Sequence, residues 1–493
     1  MKLTVIIPFA CACAGAVALA QSTADRDTLA KIRTEGIERS QVRPVFDYLT
    51  IDIGPRLTAS PAHKRAAAWA RDRLASYGLT NARLEPWKFG RGWELKKLTF
   101  EMIEPRYLPL IAYADAWSAA TPGELVAAPV PAAGKSPDDV AAMRASLKDA
   151  IVLTQPMMTA FIRKDRPQPS DEHYEPMSAA YATSVGARRP APGEETPQQR
   201  AQRLTAAFKA AGAGLLVKPS AGEHGTVFVT GRDGGPGAVP SITMSGEQYN
   251  MILRYLERGI AVKLRANVQA QFYDEDGGNA YNVIAELPGS DPALRDEVVM
   301  IGGHLDSWHT GVGATDNADG ATTVMEAMRI LKAIDARPRR TIRVALWGGE
   351  EQGLLGSKAW VADHLAGAAN AAAREKFDAY FNIDNGTGAI YGWYLQNKEE
   401  VRPIFDSWLE PLKAIGARRN IIEPVGSTDH LSFIDAGVPG FNPIQDYGSY
   451  DIRTHHTNMD TVERVDLANT REAAVVMATF AYQAANLARR LPR

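Results

Sequence analysis

The sequence predicts an α/β fold in which helices cover both faces of a central sheet, and three observations lead to this class. Of the 493 residues, 45% are hydrophobic and 23% are charged, which is enough apolar surface for a large core. From Tyr281 onward, short apolar runs alternate with helical patterns. Polar side chains follow several of these runs directly, at the strand ends where open α/β sheets bind their ligands.

Helix start and stop signals organise the first half of the chain. One helix is predicted to begin at Ser60, with a proline at the first helical position. A second begins at Thr196, with a glutamine three residues later in capping-box spacing, and ends before Gly212. It leads into the short strand candidate 214–218. The proline-rich stretch 163–197 predicts an exposed loop, because proline has no backbone N–H to donate.

The second half of the chain supplies the strands of the predicted sheet. The strand candidates are 281–285, 298–301, 341–347 and 379–383. An amphipathic helical pattern that includes Val324 lies between the second and the third of them. This alternation of strands and helices is typical of a sheet with helices on both faces.

The charge balance bears on the expected partners. The chain has 55 Lys and Arg against 57 Asp and Glu, so its formal charge at pH 7 is -2. Such a balance gives no electrostatic reason to expect a nucleic acid or an anionic membrane as partner. No apolar run after the first 20 residues is long enough to span a bilayer. We therefore expect no nucleic-acid partner and no membrane span.

The first 20 residues are typical of a cleavable secretory signal. Lys2 precedes an apolar stretch, and the small-residue pattern Ala18-Leu19-Ala20 marks a cleavage site. A buried N-terminal helix is the alternative, but the segment has no polar face. Both cysteines, Cys11 and Cys13, lie in this segment, so the mature chain would contain no disulfide and no cysteine nucleophile. We expect an exported, periplasmic or secreted protein, with lipidation at Cys11 as an alternative to cleavage.

Histidines and acids cluster in the second half of the chain. Six of the nine histidines fall between His304 and His456. Asp306 is placed to reach the second ring nitrogen of His304, which would fix the tautomer that a zinc ligand needs. Taken alone, this pair is more often a satisfied core histidine with an aspartate neighbour.

A short polar turn opens the helix that includes Val324. Asp316 lies in this turn, ten residues after Asp306, and is placed to present both of its carboxylate oxygens. Asp319 is explained by ordinary helix capping, which leaves Asp316 without a structural explanation. The sequence therefore predicts a functional role for Asp316.

Further acids stand at the ends of the next strand candidates. Glu350 and Glu351 follow the strand 341–347 after two glycines. Adjacent acids at the end of an apolar strand repel one another and are costly unless cations lie nearby. Asp384 directly follows another apolar strand, and His456 completes the set.

A count of charges favours two zinc ions bound per chain. The ions bring four positive charges, which three carboxylates and one bridging hydroxide would balance if the two histidines stay neutral. Imidazole and carboxylate ligands without a thiolate suit a catalytic zinc site, in which two ions about 3.5–4 Å apart share and acidify a water. The predicted ligands are His304, Asp316, Glu351, Asp384 and His456.

Glu350 is left over as the general base. A carboxylate next to the metals, but not bound to them, can take a proton from the water and pass it to the leaving amine. Together with the five ligand candidates, most of them at strand ends of one α/β region, it predicts a metal hydrolase.

These motifs resemble those of the co-catalytic di-zinc exopeptidases, the group of bacterial leucyl aminopeptidases and glutamate carboxypeptidase II, and most closely the plasma glutamate carboxypeptidases. The resemblance rests on Gly303-His304-Leu305-Asp306-Ser307-Trp308, Thr315-Asp316-Asn317, Leu346-Trp347-Gly348-Gly349-Glu350-Glu351-Gln352-Gly353 and His455-His456-Thr457. It extends through 53–57, 337–341 and 436–440 to nearly the whole mature chain. It implies one zinc on His304 and Asp384 and another on Glu351 and His456. It also implies that Asp316 bridges the ions and that Glu350 is the base.

The resemblance also implies a domain layout. A three-layer helix/sheet/helix catalytic domain would be interrupted by a β-rich protease-associated domain that flanks the cleft and shapes access to it. The implied segments are a signal peptide at 1–20, the N-terminal part of the catalytic domain at 21–103, the insertion at 104–267 and the metal-binding part at 268–493.

The group that stabilises the oxyanion is a point of departure from the family. Many members use a tyrosine near the stretch 426–429, whereas here His430 follows that stretch, with Tyr447 and Tyr450 a little beyond. His430 is our candidate for this role. The alternative is a histidine that only lines the cleft or forms a hydrogen bond within a loop.

Three functional hypotheses follow. The first is an exported metallopeptidase that removes residues from the N-terminus of short peptides or splits dipeptides. The second is a catalytically inactive peptide-binding module on the same scaffold, against which the retained ligands and Glu350 argue. The third is an acyltransferase that cyclises N-terminal glutamine, against which the inserted domain argues. Because similar enzymes are often homodimers, a homodimer is a candidate assembly.

Overall fold

A computed structural model describes residues 23–167, 195–384 and 386–493. The predicted signal segment with Cys11 and Cys13, and most of the predicted loop 163–197, lie outside the described residues. Within the described ranges, every helix is too short or too polar to cross a lipid bilayer.

The helices begin close to where the sequence signals placed them. Ser60 accepts a hydrogen bond from the backbone N–H of His63, and Thr196 forms the predicted capping box. The helix after Thr196 ends at Gly212, whose φ of 80° is in the left-handed region that glycine tolerates. The helices are α1 (Thr23–Glu38), α2 (Val42–Asp47), α3 (Pro61–Ser76), α4 (Pro137–Ala142), α5 (Arg144–Leu147), α6 (Pro197–Ala211), α7 (Gly246–Glu257), α8 (Asp319–Ala333), α9 (Leu355–His364), α10 (Ala371–Lys376), α11 (Arg402–Leu409), α12 (His430–Asp435) and α13 (Leu467–Asn486).

The strands include all of the predicted ones. They are β1 (Thr80–Lys88), β2 (Gly92–Glu104), β3 (Leu108–Pro109), β4 (Ala112–Ala114), β5 (Leu125–Ala127), β6 (Pro129–Pro131), β7 (Ile151–Leu153), β8 (Leu215–Pro219), β9 (Ser241–Met244), β10 (Lys263–Tyr273), β11 (Asn279–Leu287), β12 (Val298–His304), β13 (Thr341–Trp347), β14 (Phe377–Asn382), β15 (Ile390–Tyr394) and β16 (Gly440–Gln445). The candidates 214–218, 281–285, 298–301, 341–347 and 379–383 correspond to β8, β11, β12, β13 and β14.

The main sheet has seven strands in the order β1-β11-β13-β12-β14-β16-β15. Its four central strands, β13, β12, β14 and β16, are parallel, and the outer pairings β1–β11, β11–β13 and β15–β16 are antiparallel. Because neighbouring parallel strands point the same way, their carboxyl ends meet at one edge of the sheet. This edge is where the site forms.

Apolar cores cover both faces of the main sheet. Val299 and Ile301 of β12 belong to one core, together with side chains of α1, α3, α8 and α13, whereas Met300 belongs to a second core with side chains of α9 and α12. Successive strand residues point to opposite faces, so a continuous apolar run requires helices on both sides. The described residues therefore confirm the predicted α/β class and show its three layers.

Two smaller sheets lie between β1 and β11 in the chain. One has the order β3-β2-β10-β5 and the other β4-β9-β8-β7-β6, in which β6 to β9 are parallel. Helices α4 to α7 accompany them, so this region is mixed α/β in addition to its strands. The antiparallel pairing of β2 with β10 runs from the pair Gly92–Tyr273 to the pair Glu104–Lys263. The borders at 104 and 267 stay a prediction.

Candidate metal centre

Acids and a histidine lie at or just beyond the ends of three parallel strands, at one edge of the main sheet. His304 is the last residue of β12 and pairs in register with Trp347, the last residue of β13. Glu351 follows Trp347 by four residues, and Asp384 lies two residues beyond the end of β14, the other neighbour of β12. Strand geometry alone thus places the three candidate ligands side by side.

Asp316 and His456 reach the same place from loops. Asp316 lies in the irregular turn Ala314–Ala318 that precedes α8, and both Asp316 and the adjoining Thr315 donate backbone N–H bonds to the carboxylate of Asp460, at 3.2 and 2.7 Å. His456 lies just after the turn Tyr450–Thr454. The structure therefore brings all five predicted ligands together.

The five side chains form two groups that share Asp316. On one side, the Nε2 atom of His304 lies 3.2 Å from Oδ1 of Asp316 and 3.4 Å from Oδ1 of Asp384. On the other side, the Nε2 atom of His456 lies 3.5 Å from Oδ2 of Asp316 and 2.8 Å from Oε2 of Glu351. Each carboxylate oxygen of Asp316 thus faces a different histidine. Asp316 therefore belongs to both groups.

Unsatisfied polar atoms test whether metal ions fit these groups. Among the described residues, His304 Nε2, Asp316 Oδ2 and Glu351 Oε1 are buried without a hydrogen-bond partner. A buried polar atom left unpaired costs about 1–3 kcal/mol, so three such atoms in one place need a further partner. The oxygen and imidazole donors, without a thiolate, match those of catalytic zinc sites. The residues fit a metal centre.

The shifted pKa values of the clustered acids also favour a bound cation. Burial raises the pKa of Glu351 well above its ordinary value, and the neighbouring carboxylate of Asp316 raises it further. Burial also acts to raise the pKa of Asp316, but the imidazoles of His304 and His456 outweigh it and hold this pKa below its ordinary value. Carboxylates crowded away from water are stabilised in their charged form by cations.

Glu350 lies beside the two groups and is buried. Burial raises the pKa of Glu350 well above its ordinary value, while the imidazole of His304 acts to lower it. The backbone N–H of Glu350 donates to Oδ1 of Asp306 at 3.2 Å. The side chain is therefore next to both candidate ligand groups and anchored through its own main chain.

The role predicted for the Asp306 carboxylate was wrong in detail. The nearest acceptor to Nδ1 of His304 is the backbone carbonyl of Asp306 at 2.9 Å, whereas the carboxylate is 3.6 Å away. The carboxylate instead accepts from the hydroxyl of Thr58 at 2.8 Å and from the backbone N–H groups of Glu350 and Glu351. Asp306 thus holds the turn after β13, and its main chain orients the histidine ring.

The capping role predicted for Asp319 was also wrong. The N-cap of α8 is Ala318, with no side-chain cap, and the carboxylate of Asp319 accepts a hydrogen bond from the hydroxyl of Thr470 in α13. Burial raises the pKa of Asp319 to about 7. The preceding turn has an irregular backbone, so the helix begins without the extended N-cap residue that capping needs.

The oxyanion candidates differ in their surroundings. The Nε2 atom of His430 is 2.9 Å from the carbonyl oxygen of Val425, so this ring nitrogen bonds within a loop, and burial lowers the pKa of His430 to about 4. Tyr450 is buried and stacks on His455 with ring centroids 4.7 Å apart. Burial raises the pKa of Tyr450 well above its ordinary value, and the carboxylate of Asp316 adds to this. The oxyanion role of His430 stays a prediction.

Sequence reasoning missed the importance of Arg56. Its side chain is fully buried, and its guanidinium donates to backbone carbonyls of two segments that are far apart in the chain. The acceptors are Leu49, Gly54, Leu305, Val312 and Gly313. The residues around Arg56 in the sequence give no sign that it is buried, because charged residues are mostly exposed.

A cavity of about 450 Å³ adjoins one of the two groups. Glu351 and His456 line it, together with the aromatic side chains of Phe89, Trp117 and Trp308. The ring of Trp308 packs edge-on against that of His456, with centroids 5.9 Å apart. Space for a substrate side chain thus opens directly beside the candidate metal ligands.

Comparison with known families agrees with this site. The model of peptidase family M28 matches residues 282–481, the stretch that contains all five candidate ligands and Glu350. Over this stretch the chain matches the family, which confirms the predicted resemblance to the zinc exopeptidases, and the enzyme is a zinc-dependent metallopeptidase.

Individual relatives extend the likeness to most of the chain. It is 27% identical over 441 residues to carboxypeptidase Q of Bos taurus, covering 90% of this chain and 84% of that protein. The crystal structure of a peptidase M28 precursor from Shewanella amazonensis SB2B is 26% identical, with a TM-score of 0.69, and covers 95% of this chain and 98% of that one. BSAP, a zinc aminopeptidase from Bacillus subtilis, shares the fold with a TM-score of 0.58 at 20% identity, covering 90% of this chain and 94% of that one.

Proposed function

We propose that this chain is a two-zinc exopeptidase that acts on short peptides with a free N-terminus, as an aminopeptidase or a dipeptidase. The observation that supports this most directly is the position of Asp316, whose two carboxylate oxygens face His304 on one side and His456 on the other. One carboxylate shared between two histidine-containing groups is suited to a pair of ions.

The proposed division of labour follows the two groups. His304 and Asp384 would hold one ion and Glu351 and His456 the other, with Asp316 available to both. Bound zinc supplies Lewis acidity, which lowers the pKa of a water and polarises the scissile carbonyl. The main-chain carbonyl of Asp306 keeps the His304 ring in the tautomer whose Nε2 atom faces Asp384 and Asp316.

Glu350 is the proposed general base. It is adjacent to Glu351 in the chain, and its carboxylate interacts electrostatically with His304 and Asp384 without belonging to either ligand group. From this position it can accept the proton of the attacking water and deliver it to the departing amine. The bonds from the turn to the Asp306 carboxylate restrict how far Glu350 can move.

The cavity beside Glu351 and His456 supports a peptide substrate. Its aromatic lining by Phe89, Trp117 and Trp308 suits a large apolar side chain on the residue next to the scissile bond. Trp117 comes from the region 104–267, which supports the proposal that an inserted, protease-associated domain flanks the cleft and contributes to it. Export after cleavage of residues 1–20, and assembly as a homodimer, are further parts of this proposal.

Metal analysis and product analysis test the proposal together. The purified protein is expected to contain two zinc ions per chain by elemental analysis, to lose activity on chelation and to regain it when zinc is added. Incubation with a mixed peptide library should release N-terminal residues from free peptides and none from the same peptides with acetylated N-termini. Equal cleavage of blocked and free peptides would refute the exopeptidase polarity.

The same experiments separate the alternatives. A protein that binds peptides without hydrolysing them would be the inactive binding module. Conversion of a glutaminyl peptide to a cyclised product without chain cleavage would indicate the acyltransferase.

A further inference from the structure

The loop that contains His456 is bound by segments from outside the metal-binding part of the chain. The segment 223–229, between β8 and β9, lies along residues 453–458. Its Phe228 forms an antiparallel bridge with Thr457, and both Val227 and Val229 are fully buried at this contact. The loop is thus packed against the region predicted as the inserted domain.

Two backbone hydrogen bonds join these segments at the candidate ligand itself. The N–H of Val229 donates to the carbonyl oxygen of His456 at 2.9 Å, and the N–H of Asn458 donates to the carbonyl oxygen of Val227 at 3.3 Å. The first is made by His456 itself, whose side chain faces Glu351 and Asp316, and the second by the residue two positions further on.

The side chain of Asn458 adds two further bonds to the same segment. Its Oδ1 atom accepts from the N–H of Val227 at 2.7 Å, and its Nδ2 atom donates to the carbonyl oxygen of Gly225 at 3.3 Å. An amide can serve as donor and acceptor at once, which an apolar residue of similar size cannot do. Asn458 therefore links the two segments through both ends of its side chain.

One ion pair and one hydrogen bond hold the outer part of the same contact. Arg166 forms a bidentate pair with Asp451, and its backbone N–H donates to the same carboxylate at 2.9 Å. The Nη2 atom of Arg453 donates a hydrogen bond to the Nδ1 atom of His224 at 3.0 Å. Exposed contacts of this kind add little stability individually, but they join the same two parts of the chain as the bonds of Asn458.

His456 needs this support because of its backbone. Its φ of 62° lies in the left-handed region, which is unfavourable for residues other than glycine. A residue stays in such a conformation only when the hydrogen bonds and packing around it hold its backbone there. His304 and Asp384, in contrast, lie at and just beyond the ends of central strands of the main sheet, where the sheet itself determines their positions.

From this asymmetry we infer that Asn458 is a positioning residue for one of the two metal positions. By tying the 223–229 segment to the loop of His456, it sets the zinc affinity of the Glu351–His456 position and leaves that of the His304–Asp384 position unchanged. This inference rests on the proposed two-zinc function, and it adds that the region between β8 and β9 is part of the metal site.

Zinc titration of Asn458→Ala tests this inference. Full-length protein stripped of metal is titrated with zinc in the presence of a competing chromogenic chelator, which resolves two dissociation constants. Loss of a partner that orients a metal ligand typically costs about 10–100-fold in affinity. We expect one of the two dissociation constants to rise about 10-fold or more and the other to keep its wild-type value.

Asn370→Ala is the matched control. Asn370 is also half-buried, and its Nδ2 atom donates to the backbone carbonyls of Ala362, Asp363 and Ala366, far from the metal ligands in the fold. It should leave both zinc constants unchanged. Thermal melting of the metal-free variants establishes that each is folded.

Asn458→Asp covers the case in which Asn458→Ala does not fold. It has nearly the same shape and keeps the acceptor for the N–H of Val227, but it cannot donate to Gly225. The dissociation constant that rises in Asn458→Ala should take, in Asn458→Asp, a value between those of the wild type and of Asn458→Ala.

Two outcomes would overturn the inference: unchanged constants in folded Asn458→Ala, or an equal loss at both positions. A wild-type protein that binds fewer than two zinc ions would instead refute the proposed function. The two failures are thus distinguishable in a single series of titrations.

Discussion

Replacing the buried Arg56 by methionine should loosen the loops around the metal centre. Methionine fills a similar volume but donates no hydrogen bond, so the carbonyl groups that accept hydrogen bonds from Arg56 lose their partner. They belong to the short helix Tyr48–Ile53 with its C-cap Gly54, and to the loop 305–313, which connects His304 to the turn of Asp316. The arginine therefore joins the N-terminal part of the chain to the loop between two candidate ligands.

The size of the effect follows from the bonds. Arg56 donates five hydrogen bonds to backbone carbonyls, all between 2.8 and 3.1 Å. At roughly 1 kcal/mol lost for each bond, the substitution costs about 5 kcal/mol, near the upper end for a single residue. Burial lowers the pKa of Arg56 to about 10, so the group is still charged at neutral pH, and its loss also removes a cation near Asp460 and Asp306.

Hydrogen–deuterium exchange measures this effect locally. Since every 1.4 kcal/mol is a factor of ten, amides in 305–313 should exchange on the order of a thousandfold faster in Arg56→Met than in the wild type. Arg56→Lys should recover only part of the protection, because a single ammonium cannot reach all the acceptors. Arg65→Met, at an exposed arginine of α3, is the control. Unchanged exchange in 305–313 would refute the reasoning.

Three further predictions concern the site and its surroundings. Glu350→Gln should lower kcat by about 10²–10⁴-fold and keep the zinc content of the wild type, because a base is lost and no ligand; loss of zinc would contradict this role. Of His430→Ala and Tyr450→Phe, the variant that removes the oxyanion stabiliser should lower kcat with little change in KM, and unchanged turnover excludes that residue. Burial raises the pKa of Asp319 from 3.8 to about 7, so between these pH values the carboxyl group is protonated in the native state and ionised in the unfolded state. The free energy of unfolding of the wild type therefore falls by roughly 2–4 kcal/mol as the pH rises through this interval. Asp319→Asn should therefore melt higher relative to the wild type at pH 8 than at pH 5, and an equal difference at both pH values would contradict the assignment.

Local patterns predicted the elements that form the site. The apolar run of β12 and the polar residues after it place His304 at a strand end, and the same holds for Glu351 after β13. Such a pattern is visible in a few neighbouring residues, since a buried strand must be apolar while its end meets solvent or ligand. The cap at Ser60 is equally local, because the side chain bonds to its own helix.

Predictions failed where the relevant partner is distant in the chain. Asp319 was predicted to cap its own helix, but its carboxylate bonds to Thr470 in α13. The Asp306 carboxylate was predicted to meet a ring two residues away, but Thr58 and the turn after β13 compete for it more successfully. Side-chain spacing does not reveal such competition, because it depends on how the loops pack.

By itself, the sequence determined the chemical types of the candidate ligands, the strands that present three of them, and the helices on both faces of the sheet. These features depend on short-range periodicity and on capping, which act between near neighbours. Only the tertiary structure decided that Asp316 stands between two histidines, that Arg56 is buried among carbonyls, and that a segment before β9 binds the loop of His456. Those contacts join residues far apart in the chain, and their energy arises only when the whole core has packed.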